Sequence, residues 1–151
     1  MGTVVETSRP TFRWRPLKGA TTYALNVYDS SLKNVATVDR LSAAQWTAAR
    51  PLKRNEIYTW QVTAVKDGQE ISSTVPPAPE AKFKVLGQPR AEEVSVAKKS
   101  YPNSHLILGA VYKKAGMLDD AEREFKALLS ANPNSPAAQK LLQNVKSLRQ
   151  T

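Results

Sequence analysis

Few residues of this chain could do chemistry. Of 151 residues none is cysteine and one is histidine, His105, which removes disulfides, thiol nucleophiles, thiolate zinc sites and every paired-histidine metal motif. A lone imidazole needs an acid to orient it as a base, and the spacing around His105 supplies none, so it reads as a partly buried helix residue. The carboxylates Glu92-Glu93, Asp119-Asp120, Glu122 and Glu124 fall at helix beginnings and on exposed helix faces, where surface charge and the helix dipole account for them. The glycines are dispersed, with no phosphate-binding loop and no Gly-x-Ser-x-Gly elbow. No catalytic residue, metal site or cofactor is therefore expected. Among Trp14, Trp46 and Trp60, which could stack on a sugar, the first and last follow an inward alternation and read as core; Trp46 is left open.

Charge is spread rather than patterned. The net charge is +9, and on either side of Pro89 twelve basic residues face seven acidic ones, then ten face six, so the two parts carry +5 and +4. A nucleic-acid footprint would gather on one face or helix, so solvated surface is the reading and no specific nucleic-acid partner is expected. Electrostatic binding to nucleic acid or an anionic membrane is a further reading, one that would weaken steeply with salt. No window is apolar enough to span a bilayer, and the first residues lack the basic and apolar regions of a secretion signal.

Near residue 88 the apolar period changes from two to between three and four, from strand to helix. Gly87-Gln88-Pro89-Arg90 lies between and is read as the linker, giving an α+β multidomain chain with domains 1–88 and 89–151. In the first, Phe12 and Trp14 alternate with Thr11, Arg13 and Arg15. Tyr23, Leu25 and Val27 form a second strand, Val35–Val38 and Gln45–Thr47 are weaker ones, and Tyr58, Trp60, Val62 and Ala64 form the clearest, ending at the turn Asp67-Gly68. With Phe83 and Val85, and an N-terminal strand around Thr3–Glu6, seven short strands predict a β-sandwich. Phe12-Arg13-Trp14, Gly19 to Tyr23 and Leu52-x5-Tyr58-x-Trp60-x-Val62-x-Ala64 resemble a fibronectin type III-like domain over residues 3–86. That resemblance implies a tyrosine corner in which Leu52 and Tyr58 pack at the turn into the sixth strand, although Arg54-Asn55 stands where the family often has Pro-Gly. Val75-Pro76-Pro77-Ala78-Pro79 favours an extended polyproline conformation, read as a stiff connection rather than an SH3-type ligand.

From Ala91 the spacing is helical, with a short helix over 91–99. Leu108, Gly109, Tyr112, Gly116, Ala121, Phe125 and Pro133 then resemble one tetratricopeptide (TPR) repeat at 102–135, with His105 where a Trp is common and Leu128 where a small residue is usual. Gly109 and Ala121 would let two antiparallel helices approach, beside Tyr112 and Phe125. Ser135-Pro136 caps a third helix, 136–149, similar to the solvating helix that ends such arrays. The resemblance implies a peptide groove lined by Asn103, Leu106, Ala110, Lys113 and Lys114, two cations on a small apolar floor, suited to an acidic protein or peptide partner. Arrays need about three repeats to bury a continuous core, so the spare surface is expected to dock on the sandwich or on a second copy, as a homodimer.

The functional expectation is a non-catalytic protein–protein interaction or scaffold module, not an enzyme. By analogy it would be the C-terminal region of a larger bacterial protein, placed in the periplasm or cell envelope. The alternative is an accessory polysaccharide-binding module of a cell-surface protein, which requires an exposed aromatic platform.

Overall fold

The computed structural model describes residues 3–72 and 81–150, and the proline-rich run Val75–Pro79 lies outside them. The strands are β1 (Thr3–Val5), β2 (Thr11–Arg13), β3 (Ala20–Tyr28), β4 (Asn34–Leu41), β5 (Gln45–Thr47), β6 (Ile57–Lys66), β7 (Gln69–Ser72) and β8 (Ala81–Val85). Four helices follow: α1 (Gln88–Ser100), α2 (His105–Ala115), α3 (Leu118–Ala131) and α4 (Pro136–Gln150). The chain forms two compact units. One is Thr7–Val85, and the other joins the described part of Met1–Glu6 to the chain from Leu86 onward.

In Thr7–Val85 the antiparallel order is β8-β6-β3-β4, with β7 also on β6, and β2 pairs β5 as a separate two-stranded sheet. Period-two alternation is strongest in β3, where Tyr23, Leu25 and Val27 are buried; they lie opposite Ala64, Val62 and Trp60 of β6. The two sheets meet through aromatic rings. Phe12 of β2 lies 5.3 Å from Trp60 and 5.4 Å from Phe83, and Trp14 lies 5.5 Å from Tyr23 and 6.4 Å from Trp60. The inward reading of Trp14 and Trp60 is thus met, though both rings are only half-buried. Leu52 and Tyr58 are buried, and the Tyr58 hydroxyl donates to the Lys53 carbonyl at 3.2 Å. This ties the strand start to the preceding turn as a tyrosine corner does. Asn55, the second residue of the Arg54-Asn55 pair that stands in place of Pro-Gly, takes a positive φ of 63°.

Three expectations need correction. The described residues hold eight strands, not seven: Asp67 and Gly68 both have positive φ, the geometry of a tight hairpin, and β7 returns along β6 with Lys66 opposite Gln69. By its contacts β1 falls in the helical unit: Val4 packs against the helical core, the Leu86 amide donates to the Val5 carbonyl at 2.9 Å and Lys98 Nζ donates to the Glu6 carboxylate at 2.9 Å. The boundary is therefore at Val85/Leu86 rather than 88/89. Gly87–Arg90 is not a linker either. Gly87 is the N-cap of α1 and Pro89 sits in its first turn, where a missing amide hydrogen costs nothing.

In the helical unit Ala91, Val94 and Ala97 of α1, Leu108 and Tyr112 of α2, Ala121 and Phe125 of α3, and Leu142 and Val145 of α4 form one core with Leu86 and Met117. Gly116, at φ 78°, ends α2, and the Met117 amide reaches back to the Tyr112 carbonyl at 2.9 Å. This left-handed C-terminal cap favours glycine. Ser104 and Ser135 accept from the Ile107 and Ala138 amides, capping α2 and α4. A Cβ built on Gly109 would stand 2.5 Å from Phe125 Cε1, closer than carbon atoms can approach, so the ring rests on bare backbone.

Gly109→Ala is accordingly expected to lower stability by about 1–3 kcal/mol through overpacking. Shrinking the ring as well, in Gly109→Ala/Phe125→Leu, should recover part of the loss left by adding the two single changes. Urea unfolding monitored by helical circular dichroism reads both.

Candidate functional site

The side chains proposed to line a groove are not all brought together. Asn103 lies in the turn before the Ser104 cap, outside α2. Leu106, Ala110 and Lys113 follow at spacings of four and three, which places them on one helix face, away from buried Leu108, Gly109 and Tyr112. Leu106 is 50% exposed and Ala110 is exposed as well. Lys113 is half-buried. Lys114 turns toward α1, its Nζ 3.5 Å from the Glu93 carboxylate. Glu93 also accepts from Arg90 at 2.8 Å, and these cations hold its carboxyl below the usual range, Arg90 most strongly. The expected cation pair is therefore split: Lys113 stays with the apolar face, while Lys114 serves a salt-bridge cluster between α1 and α2.

Two contacts between ionisable groups do work that the spacing did not reveal. His105 Nδ1 lies 2.8 Å from Glu124 Oε2, so the acid absent from its surroundings in sequence arrives from α3, nineteen residues on. The pair ties the first turn of α2 to α3. Glu122, expected on the surface, is buried to 7% exposure. It meets Lys126 Nζ at 2.7 Å, one helical turn away, and Arg149 of α4, which also reaches Asp119 at 2.9 Å. Hydrogen bonds from Lys126 and Arg149 hold the Glu122 carboxyl below its ordinary value. The end of α4 is thereby fastened to the first half of α3. Thr3, Val4, Gly116, Asp119, Asp120 and Arg149 help to line a polar notch of about 190 Å³ there.

In the sandwich, Trp46 is half-buried and stacks on Phe12 at 5.9 Å with 18° between the rings. It also lines a cleft of about 500 Å³ with residues of β4 and of the β5–β6 connection. Among the described residues no group of three or more His, Asp or Glu side chains could hold a metal ion, and no helix is long and apolar enough to cross a membrane.

No family model matches the chain, and no curated protein is similar to it. Among solved structures, an Fn3-like protein from Clostridium thermocellum is similar at 20% identity and a TM-score of 0.42, over 57% of this chain and 88% of that one. The β-glucuronidase of Parabacteroides merdae is similar at 15% identity and a TM-score of 0.35, over 52% of this chain and 11% of that one. Likenesses this slight identify neither a family nor a function.

The ion cluster on α3 sets a pH dependence. Because the folded carboxyl of Glu122 titrates below its ordinary 4.5, its contribution to stability is complete above that value and is lost as pH falls through the lower folded one. Glu122→Gln should be less stable than the parent at pH 7, and its urea midpoint should fall less between pH 5 and pH 3. Parallel curves for the two proteins would remove Glu122 from the acid response.

Proposed function

We propose that the chain is a non-catalytic protein-interaction module, with α2 and α3 as a TPR-like hairpin closed by α4 and with Thr7–Val85 as a fibronectin type III-like sandwich. The observation that carries this reading is the divided surface of α2. One face is buried against α3 around Gly109 and Phe125, while the opposite face keeps Leu106 half-exposed beside exposed Ala110. An exposed leucine alone is ordinary. Here it lies one turn from a small residue that leaves room for an incoming side chain, and Lys113 flanks the space. An amphipathic or extended segment fits such a face by apolar contact at Leu106 and Ala110, and an acidic group on it would meet Lys113. Asn103, in the turn at the same end, offers an amide to its backbone. Lys114 has a smaller part, since binding would compete with its pairing to Glu93.

Three further features support the repeat reading: the glycine contact at 109, the left-handed glycine at 116 and the serine cap before Pro136. The tyrosine corner at Tyr58 supports the sandwich reading.

The test is a peptide-array screen with acidic amphipathic segments, followed by titration of any ligand found. Leu106→Asp is expected to abolish binding. Lys113→Glu is expected to weaken it about threefold to tenfold, roughly the worth of one peripheral charge contact, and Lys114→Glu less. Equal affinities across these variants would exclude the α2 face.

A further inference from the structure

The cleft beside Trp46 lies wholly within Thr7–Val85, so its form does not depend on the helices. One wall is the start of β4 with the turn that precedes it. That turn is tightly held: the Asp29 amide donates to the Lys33 carbonyl and the Leu32 amide to the Asp29 carbonyl, both at 3.0 Å. Asp29 Oδ1 accepts from the Ser31 and Lys33 amides at 2.9 and 3.0 Å. The other wall is Trp46 and the connection from Ala49 to Glu56. Phe12, itself buried, backs the indole and fixes its plane.

The polar groups of the cleft are largely uncommitted. Arg50, Lys53 and Glu56 make no side-chain hydrogen bond or ion pair with a described residue, and Asp29 Oδ2 is likewise free. The Tyr58 phenol, by contrast, is spent on the Lys53 carbonyl. Two cations and two carboxylates bring no net charge to attract an ion, but they surround an aromatic plane with strong donors and acceptors. A pyranose ring suits that combination, since its C–H face packs on an indole and its hydroxyls satisfy charged partners on both sides. A peptide adding to the free edge of β4 would bind through its main chain and would leave those charges to be desolvated without partners.

We propose that this cleft binds a neutral oligosaccharide, with Trp46 as the stacking platform and Arg50, Lys53 and Glu56 as hydrogen-bonding partners of its hydroxyls. The site is independent of the α2 face.

The test titrates the full chain with soluble hexasaccharides of β-1,4-linked glucose, xylose and N-acetylglucosamine and of α-1,4-linked glucose, read by calorimetry and tryptophan fluorescence. At least one should bind with a Kd of about 0.1–1 mM, the range for a few sugar rings in an open cleft. Trp46→Ala should weaken that binding at least tenfold. Since Trp46 also supports Phe12, Arg50→Ala and Glu56→Gln provide variants that leave the aromatic packing alone. Each should weaken binding about threefold to tenfold at an unchanged thermal midpoint, whereas Leu106→Asp should leave it intact. Absence of binding to all four sugars, indifference to Arg50→Ala and Glu56→Gln, or occupation of the cleft by peptides in their place would each overturn the proposal.

Discussion

The helical unit depends on one contact, the Phe125 ring resting on the backbone of α2 at Gly109. Phe125 is fully buried, and truncating so buried a ring costs about 3–5 kcal/mol in typical cores. The contact also sets geometry. With no Cβ at 109 the two helices close together, which brings Tyr112 and Ala121 into the same layer and leaves the two-residue turn Gly116-Met117 enough reach to join them. Once that spacing is set, α1 packs on one side through Val94 and α4 on the other through Val145, both buried. The face of α2 turned away from Phe125 is then left outward, carrying Leu106. Its exposure follows from how the hairpin closes.

The sandwich has a comparable centre in Phe12, which touches Trp46, Trp60 and Phe83 at once. These contacts hold a two-stranded sheet, whose strands have only three residues each, over a larger one. So small a cover cannot span the whole inner face of its partner. On the β4 side the sheets part, and the gap is the cleft beside Trp46. Phe12 therefore supplies the cohesion of the fold and also fixes the plane of the indole at its edge.

What was legible in the sequence was local. The change of period separated strands from helices to within a few residues. The caps at Gly116 and Ser135 rest on a φ angle and a side chain acting within four residues. Tyr58 and the Lys53 carbonyl lie five apart, and Leu52 sits one residue beyond. What escaped depended on partners brought close only by folding. Glu122 reads as one more surface acid until Arg149, twenty-seven residues on, closes over it, and His105 looked isolated because Glu124 lies on another helix. Thr3–Val5 alternates like any strand, and nothing in three residues says that Val4 will join a helical core. The strand β7 was a different kind of miss. Asp67-Gly68 announced a hairpin, but Gln69–Ser72 carries a single large apolar residue, Ile71, too weak a period for a partner strand that is mostly exposed.

Those distant partners also change the reason to expect a bound protein. A single repeat with bare flanks would need outside burial to complete its core, which was the ground for expecting a second copy or docking on the sandwich. Part of that cover comes from within the helical unit. Leu86, Val4 and the whole of α1 close one side, while α4 closes the other and brings Leu128, Leu129 and Leu141 to half-burial. The large apolar side chains left exposed on the helices, among the described residues, are Val96, Leu106 and Leu148, one each on α1, α2 and α4. The apolar surface left for a partner to cover is thus smaller than the repeat count alone implies. The interaction reading rests instead on a shaped patch, in which Leu106 stands beside the space over Ala110 with Lys113 at its border. Such a patch favours reversible capture of a short segment over obligate assembly, because little of the unit's own burial changes when the segment leaves.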